Sequence, residues 1–260
     1  MIPAGVPSPT LTIARDLLRR WDRQQSAFIR HRTLRFDTIV RLVAATGSAT
    51  PRILDLCSGP GSLTAAIVEQ IPGATVVAID KDPVLLRIAR DVFADQPRVR
   101  VTAADLDRPD WVHTVAHEPP FDAVVSSTAL HWLQPEVLTR VYRECAQLLT
   151  DGGVLLNGDH LYYDPVSAPR MRSVAENDAD EFLRASHADG AEEWDAWWDA
   201  AKQVPEYAAE AAAHERVWHD AEPPLKVTLG YHLEALRSVG FTEAGTVWQF
   251  LDDFVVYGVR

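Results

Sequence analysis

The stretch Ile53-Leu54-Asp55-Leu56-Cys57-Ser58-Gly59-Pro60-Gly61-Ser62-Leu63-Thr64 decides the fold of this 260-residue chain. It starts as an apolar run with one acidic residue, continues as a turn of small residues, and ends as the start of a helix. Open α/β sheets bind ligands beyond the carboxyl ends of their strands, and the first strand–helix turn is the usual place. Because glycine lets the backbone approach a ligand closely, we predict that this turn holds a cofactor.

Strands and helices alternate after this turn. Apolar runs predict further strands over residues 74–80, 98–103, 121–126 and 154–158, with helices over residues 62–71, 83–93 and 135–149. Asp151-Gly152-Gly153 reads as a turn before the fifth strand. Such alternation is typical of a parallel sheet that is covered by helices on both faces.

The end of the chain predicts two more strands, over residues 246–250 and 254–258, after a helix over residues 230–239. Asp252-Asp253 between the two strands reads as a hairpin turn. We therefore expect an α/β fold with a Rossmann-like seven-stranded sheet, in which six strands are parallel and the last is antiparallel.

Two further regions lie outside this alternation. Ser8-Pro9, after a loose Pro-rich leader, predicts a helix start, and a second helix follows near residues 34–45. Residues 164–226 are charged and helix-prone. We expect one domain over residues 1–260, in which N-terminal helices within residues 1–47 and a helical lid insertion of residues 164–226 cover the cofactor.

The composition narrows the function classes. The net charge is −12, and no run of Lys and Arg forms the basic face that nucleic acids or anionic membranes require. No run of eighteen apolar residues predicts a membrane span, and the N-terminus does not resemble a signal peptide. Cys57 and Cys145 read as reduced thiols, and no Cys/His cluster has metal-ligand spacing. We expect a cytoplasmic monomer or homodimer that acts on a small molecule, with no metal.

The glycine pattern chooses between two classes of cofactor. Dinucleotides require G-x-G-x-x-G, and the matching positions here are Cys57, Gly59 and Ser62, so that two glycines are missing. The Asp55 carboxylate would also sit badly beside a pyrophosphate, whereas it suits a cofactor with a cationic amino-acid end. The turn therefore favours S-adenosylmethionine over NAD.

The segment Asp55 to Gly61 resembles the first motif of class I S-adenosylmethionine-dependent methyltransferases, which usually has a glycine where Cys57 stands. The resemblance implies that Asp80 accepts both ribose hydroxyls, that Asp105 takes the adenine amino group, and that S-adenosyl-L-homocysteine is the product. Asp82 either lines the adenosine or only caps a helix. The candidate cofactor-binding residues are Asp55, Cys57, Ser58, Gly59, Gly61, Asp80, Lys81, Asp105, Leu106, Ser126 and Ser127.

The segment Ser126 to Leu133 resembles the small-molecule methyltransferases that carry His-Trp after the fourth strand, such as those acting on trans-aconitate and on malonyl-carrier carboxylates. His131 is the candidate catalytic base, or else it only lines the pocket. Arginines of the first helices either hold an acidic substrate or lie on a solvated face. The candidate substrate-binding residues are Trp21, Gln25, Phe28, His131, Asp159, His160, Tyr162, Trp197 and Trp198.

These features predict an enzyme of class EC 2.1.1 that transfers a methyl group to an O, N or C atom of a small metabolite of secondary metabolism. One alternative is an enzyme of the same fold with non-methylating chemistry on the sulfonium, such as cyclisation. A cofactor-binding protein without catalysis and a nicotinamide oxidoreductase are further alternatives.

Overall fold

A computed structural model describes residues 9–219 and 223–260. The leader, with the predicted capping residue Ser8, and residues 220–222 of the predicted insertion lie outside these ranges. The helices are α1 (Pro9–Phe28), α2 (Arg32–Ala44), α3 (Ser62–Gln70), α4 (Pro83–Val92), α5 (Pro135–Leu148), α6 (Pro169–Ala188), α7 (Trp194–Lys202), α8 (Ala208–Trp218) and α9 (Leu229–Ser238). The strands are β1 (Arg52–Leu56), β2 (Thr75–Asp80), β3 (Val99–Ala103), β4 (Phe121–Ser127), β5 (Leu149–His160), β6 (Glu243–Phe250) and β7 (Asp253–Val259).

The sheet has the order β3-β2-β1-β4-β5-β7-β6. Strands β1 to β5 pair in parallel, and β7 is antiparallel to both of its neighbours. Six strands therefore run in one direction and the last runs against them, which confirms the predicted architecture. The chain leaves β1 for β2 on one side and returns to β4 on the other, so a ligand crevice is expected at the carboxyl ends of β1 and β4.

Both faces of the sheet are buried, because successive strand side chains point to opposite faces. Leu54, Leu56 and Val124 pack with α5 and α9, whereas Ile53, Ala123 and Val125 pack with α2 and α3. The second N-terminal helix, α2, is thus one of the layers on the sheet. It was expected among the cap helices, but its apolar side chains pack against the strands. Helix α1 instead contacts α4, α6 and α7.

Two predicted turns are placed differently in the structure. Residues 151–153 belong to β5, where the pairing with β4 shifts from Phe121–Leu149 to Ala123–Val154 and so absorbs the two glycines. At the C-terminal hairpin the turn is Leu251-Asp252, and Asp253 is the first residue of β7, paired with both Phe250 and His160. Asp253 is therefore a buried strand residue rather than a turn residue.

A buried ion pair explains the position of Asp253. The guanidinium of Arg35, on α2, is fully buried and binds the Asp253 carboxylate. It also donates to the Thr128 hydroxyl at 2.6 Å and to the Gly158 carbonyl at 3.0 Å. A Cβ at Gly158 would lie 2.6 Å from Arg35 Cδ, so only glycine leaves space for this side chain. Arg35 thus joins α2 to the ends of β4, β5 and β7.

In the described residues, no helix is both long enough and apolar enough to cross a membrane.

We expect Asp253→Ala to lower the free energy of unfolding by about 3–5 kcal/mol, because it leaves a buried guanidinium without its counter-charge. Urea denaturation measures this change. The control is Asp178→Ala, which removes an ion pair to Arg30 in which both side chains are 33% exposed and which contributes at most about 1 kcal/mol. Equal losses in the two variants would contradict a special role for the buried pair.

Candidate functional site

A cavity of about 1610 Å³ lies at the carboxyl ends of the parallel strands, under helices α1, α7 and α8. Pockets for one small ligand typically measure about 300–1,000 Å³, so this cavity has room for two. The predicted site residues that line it are Trp21, Gln25, Phe28, Asp55, Cys57, Ser58, Gly59, Asp80, Lys81, Asp105, Leu106, Ser127, His131, His160 and Trp198.

The turn after β1 has three residues in the left-handed backbone region, namely Cys57 (φ 52°), Gly59 (φ 58°) and Gly61 (φ 96°). A side chain in this conformation costs about 1–2 kcal/mol, which gives a physical reason for the glycine that related motifs carry where Cys57 stands. Gly61 caps α3 and does not line the cavity; a Cβ there would lie 2.4 Å from the Phe93 ring.

Two buried carboxylates flank the turn. Asp55 accepts a hydrogen bond from the Thr64 hydroxyl at 2.6 Å, and burial raises the pKa of Asp55 to about 7. Asp80 accepts from the backbone N–H groups of Gly59 and Asp82, each at 2.8 Å, and burial raises the pKa of Asp80 to about 6. Burial opposes ionisation of both groups, so a ligand with a cationic end would stabilise their charged forms.

Two serine hydroxyls of the turn are buried without a hydrogen-bond partner in the described residues. They are the Oγ atoms of Ser58 and Ser62, and both residues line the cavity. Buried polar groups in proteins almost always have partners. A ligand with polar atoms at this turn would supply them.

Polar residues also follow β2 and β3. The Lys81 ammonium lies 2.9 Å from Asp107 Oδ2 and 3.9 Å from Asp105 Oδ1, which fixes the two loops beside each other. Leu106 provides an apolar surface in the same part of the cavity wall. Ser126 does not reach the cavity, because its hydroxyl donates to the Leu56 carbonyl inside the sheet at 3.0 Å.

His131 and Asp159 form a pair at the ends of β4 and β5. The His131 Nδ1 lies 2.7 Å from Asp159 Oδ1, and the His131 backbone N–H donates to Asp159 Oδ2 at 3.1 Å. Burial lowers the pKa of His131, but the adjacent Asp159 carboxylate outweighs this effect and raises it above its usual value. Burial alone would raise the pKa of Asp159, but the nearby His131 and Arg35 lower it to about 2. Asp159 therefore lies behind the cavity wall and orients the imidazole that faces the ligand.

The helical side of the cavity is aromatic. Trp21 and Phe28 of α1 meet Trp194 and Trp198 of α7, with ring centroids of neighbouring pairs 5.7–6.2 Å apart. Trp197 was expected to contact the substrate, but it is fully buried behind these rings, and its indole N–H donates to the Leu17 carbonyl.

Tyr162 also lies outside the cavity lining, and its ring packs against the Lys226 ammonium at 4.0 Å. The arginines of the first helices are engaged elsewhere or exposed. Arg35 is buried in its ion pair, Arg32 pairs with Asp22 at 2.9 Å, and Arg23 is exposed.

A contact between Asp82 and the lid helix α8 was not predicted. Asp82 Oδ1 caps α4 by accepting from the N–H groups of Val84 and Leu85, and the residue also lines the cavity, so the two interpretations do not exclude each other. Its Oδ2 accepts from His214 Nδ1 at 2.6 Å and from the Trp218 indole N–H at 2.7 Å. No sequence pattern connects residues so far apart, although His214 and Trp218 do share one helical face at a spacing of four.

Comparisons with known proteins match the part of the chain that carries the glycine turn. Residues 53–153 match the family model described as a methyltransferase domain. Trans-aconitate 2-methyltransferase from Azoarcus sp. (strain BH72) is 34% identical over 155 residues, which cover 59% of this chain and 56% of that protein. The chain thus matches about half the length of this curated relative.

Solved structures agree on the fold. Human N-acetylserotonin methyltransferase in complex with S-adenosylmethionine superimposes with a TM-score of 0.56 at 14% identity, over 98% of this chain and 60% of that one. An O-methyltransferase family protein from Burkholderia thailandensis gives a TM-score of 0.53 at 16% identity, over 96% and 71% of the two chains. These structures therefore bear out the predicted fold, and the matched family model spans residues 55–61, which carry the resemblance.

We expect Asp82→Asn to speed amide hydrogen exchange in α8 by on the order of tenfold. The asparagine oxygen can still cap α4, but its NH2 group cannot accept from His214 and Trp218, and a lost hydrogen bond to a charged group costs about 1.5–3 kcal/mol. Hydrogen exchange followed by mass spectrometry measures the opening of this helix.

The matched control is Glu210→Gln, which removes a partly exposed ion pair between α8 and Arg87. Such pairs contribute at most about 1 kcal/mol, so exchange in α8 should change much less. If the two variants have the same effect, Asp82 does not hold the lid.

Proposed function

Because the chain has the fold and the methyltransferase domain of the class I methyltransferases, we propose that it transfers a methyl group from S-adenosylmethionine to an O, N or C atom of a small molecule. The observation that carries this proposal is the pair of buried carboxylates, Asp55 and Asp80, on either side of the glycine turn at the switch point of the sheet. The cavity volume leaves room for an acceptor beside the cofactor. This room favours transfer to an acceptor over cyclisation of the cofactor.

The residues at the turn fit S-adenosylmethionine. Asp55 would hold the ammonium of its amino-acid end, directly or through water, and the unpartnered Ser58 and Ser62 hydroxyls supply further polar contacts. Asp80 would accept the ribose hydroxyls, and Asp105 with the backbone of Leu106 would bind the adenine. When bound, the cofactor supplies an electrophilic methyl group on a sulfonium. The chain itself contributes orientation of the acceptor and exclusion of water.

His131 is proposed as the general base. Asp159 accepts a hydrogen bond from Nδ1–H, which leaves Nε2 as the basic atom of the neutral imidazole. That nitrogen takes the proton of an acceptor O–H or N–H group as the acceptor attacks the methyl group. A carboxylate acceptor, as the name of the relative from Azoarcus suggests for that protein, needs no base.

The proposed setting is the cytoplasm, with the protein as a monomer or homodimer. Support comes from the two free cysteines, Cys57 and Cys145, and from the net charge of −12, which also favours a small-molecule acceptor over a nucleic acid.

We expect the protein to bind S-adenosylmethionine in a calorimetric titration, and Asp80→Ala to weaken binding by about 1–3 kcal/mol, because ribose hydroxyls lose a buried partner. Asp95→Ala, an exposed carboxylate outside the cavity, is the control and should bind as the wild type does. The absence of binding by a folded protein that retains no cofactor from purification would contradict the proposed function.

We expect kcat/KM for a protic acceptor to rise with pH through the pKa of His131, which lies above 6.5, because only the neutral imidazole accepts a proton. Asp159→Asn keeps a hydrogen-bond acceptor for Nδ1–H but removes the charge that raises this pKa. In Asp159→Asn, the rise of kcat/KM should therefore occur at lower pH and level off at a lower maximum value. His131→Ala should cost about 10²–10⁴-fold in rate. An unmoved acid limb in Asp159→Asn would argue against the pair.

A further inference from the structure

We infer that the acceptor is a neutral planar aromatic compound with a hydroxyl group, whose ring lies against the tryptophans of α1 and α7 and whose hydroxyl faces His131. This inference rests on the proposed methyl transfer and names the class of acceptor. Two observations support it, namely the aromatic lining of the cavity and the ion pairing of most charged groups around the cavity.

The aromatic wall is preformed. Trp21 lies 5.7 Å from Trp194 and 6.1 Å from Trp198, measured between ring centroids. Behind them, the fully buried Trp197 contacts Trp21 at 4.7 Å and is held through its N–H by the Leu17 carbonyl. Tryptophan rings locked in this way present a large apolar surface with little conformational entropy to lose, and they pair favourably with another aromatic ring.

Of the four described Lys and Arg side chains that line the cavity, three have carboxylate partners. Among the described cavity-lining residues, Arg32 pairs with Asp22 at 2.9 Å and Lys202 pairs with Glu215 at 3.0 Å. Lys81 pairs with Asp107 on the adenosine side. Arg216 of α8 also lines the cavity and has no carboxylate partner among the described residues.

The histidines that line the cavity add no further free charge. His131 is paired with Asp159, and burial lowers the pKa of His160 to about 4, so that His160 is neutral near pH 7. Two carboxylates of α7, Asp195 and Asp199, also line the cavity. A di- or tricarboxylate acceptor would therefore find one unpaired cation, Arg216, for its two or three charges, and burying the remaining carboxylates unpaired is costly.

A cationic acceptor is disfavoured for two reasons, although aromatic rings can bind cations. The sulfonium of the cofactor would already occupy the cavity, and two like charges in a buried site repel each other. A protonated amine also lacks the lone pair that the displacement needs. A neutral hydroxyarene avoids both problems and offers an acidic O–H group to the His131–Asp159 pair.

The step balances with these groups. The phenolic oxygen forms the O–C bond to the methyl carbon while the C–S bond breaks, and the bonding pair passes to sulfur, which becomes a neutral thioether. The phenolic proton passes to Nε2 of His131 and then to solvent. The products are an aryl methyl ether and S-adenosylhomocysteine.

The first test compares acceptors of matched shape with the purified wild-type protein and S-adenosylmethionine. The acceptors are 2-naphthol, its saturated analogue decahydro-2-naphthol, and tricarballylate, and product mass identifies the methylated species. We expect 2-naphthol to exceed the other two by at least tenfold in kcat/KM. Faster methylation of tricarballylate or of the saturated alcohol would overturn the inference while leaving the proposed methyl transfer intact.

The second test needs no turnover. Quenching of tryptophan fluorescence by 7-hydroxycoumarin reports binding to the aromatic wall with or without cofactor. Trp194 is 42% exposed, so Trp194→Ala removes one ring of the wall at little cost to the core. We expect about tenfold weaker binding of 7-hydroxycoumarin and an equal rise in KM for 2-naphthol, with kcat and the Kd for S-adenosylmethionine changed less than threefold.

The control is Trp248→Ala, which removes a tryptophan of β6 that does not line the cavity and should leave both values unchanged. No saturable quenching in the wild type, or the same affinity in Trp194→Ala, would overturn the inference. By contrast, a wild type that binds 7-hydroxycoumarin but not S-adenosylmethionine would contradict the proposed function, so the two failures are distinguishable.

Discussion

The guanidinium of Arg35 is the interaction on which the geometry of the site depends. It is fully buried and binds groups from three strands, namely Thr128 after β4, the Gly158 carbonyl of β5 and Asp253 of β7. Thr128 has a left-handed backbone (φ 58°) and leads into the turn that carries His131. Gly158 directly precedes Asp159, the partner of that histidine. The position of the proposed base is therefore set by a side chain that does not line the cavity.

Asp55 and Asp80, the two carboxylates beside the glycine turn, lower the stability of the folded protein and favour the binding of a ligand there. Burial raises the pKa values of Asp55 and Asp80 to about 7 and about 6, from about 4 in an unfolded chain. The folded state thus binds more protons than the unfolded state over this range, and these groups stabilise the fold less as pH rises from about 4 to 7. The ammonium proposed to lie at Asp55 and the ribose hydroxyls proposed to lie at Asp80 would offset this cost by stabilising the two carboxylates.

Much of the fold could be predicted from local patterns, because an apolar run or a glycine turn indicates the secondary structure of the residues next to it. The seven strands and the antiparallel last strand were predicted from the sequence, whereas their order in the sheet was not. Long-range pairs were not: nothing near Asp253 indicates that Arg35 neutralises it, and an Asp-Asp pair between two strands is also typical of a turn. Trp197 and Trp198 show a second limit. Helical spacing predicts an aromatic stripe, but only the packing of α1 on α7 decides which indole is buried and which faces the cavity.

The proposed cofactor site and the proposed acceptor site come from different parts of the chain. Similarity to known proteins therefore says more about the cofactor than about the acceptor. The matched methyltransferase domain, residues 53–153, contains Asp55, Asp80, Asp105 and His131. The aromatic wall, in contrast, comes from α1 and α7, and the lid contact to Asp82 comes from α8, all outside that region. The residues proposed to bind the cofactor thus lie in the part of the chain that resembles known methyltransferases. The tryptophans proposed to bind the acceptor lie outside that part, so the acceptor class depends on the charges and aromatic rings of this chain itself.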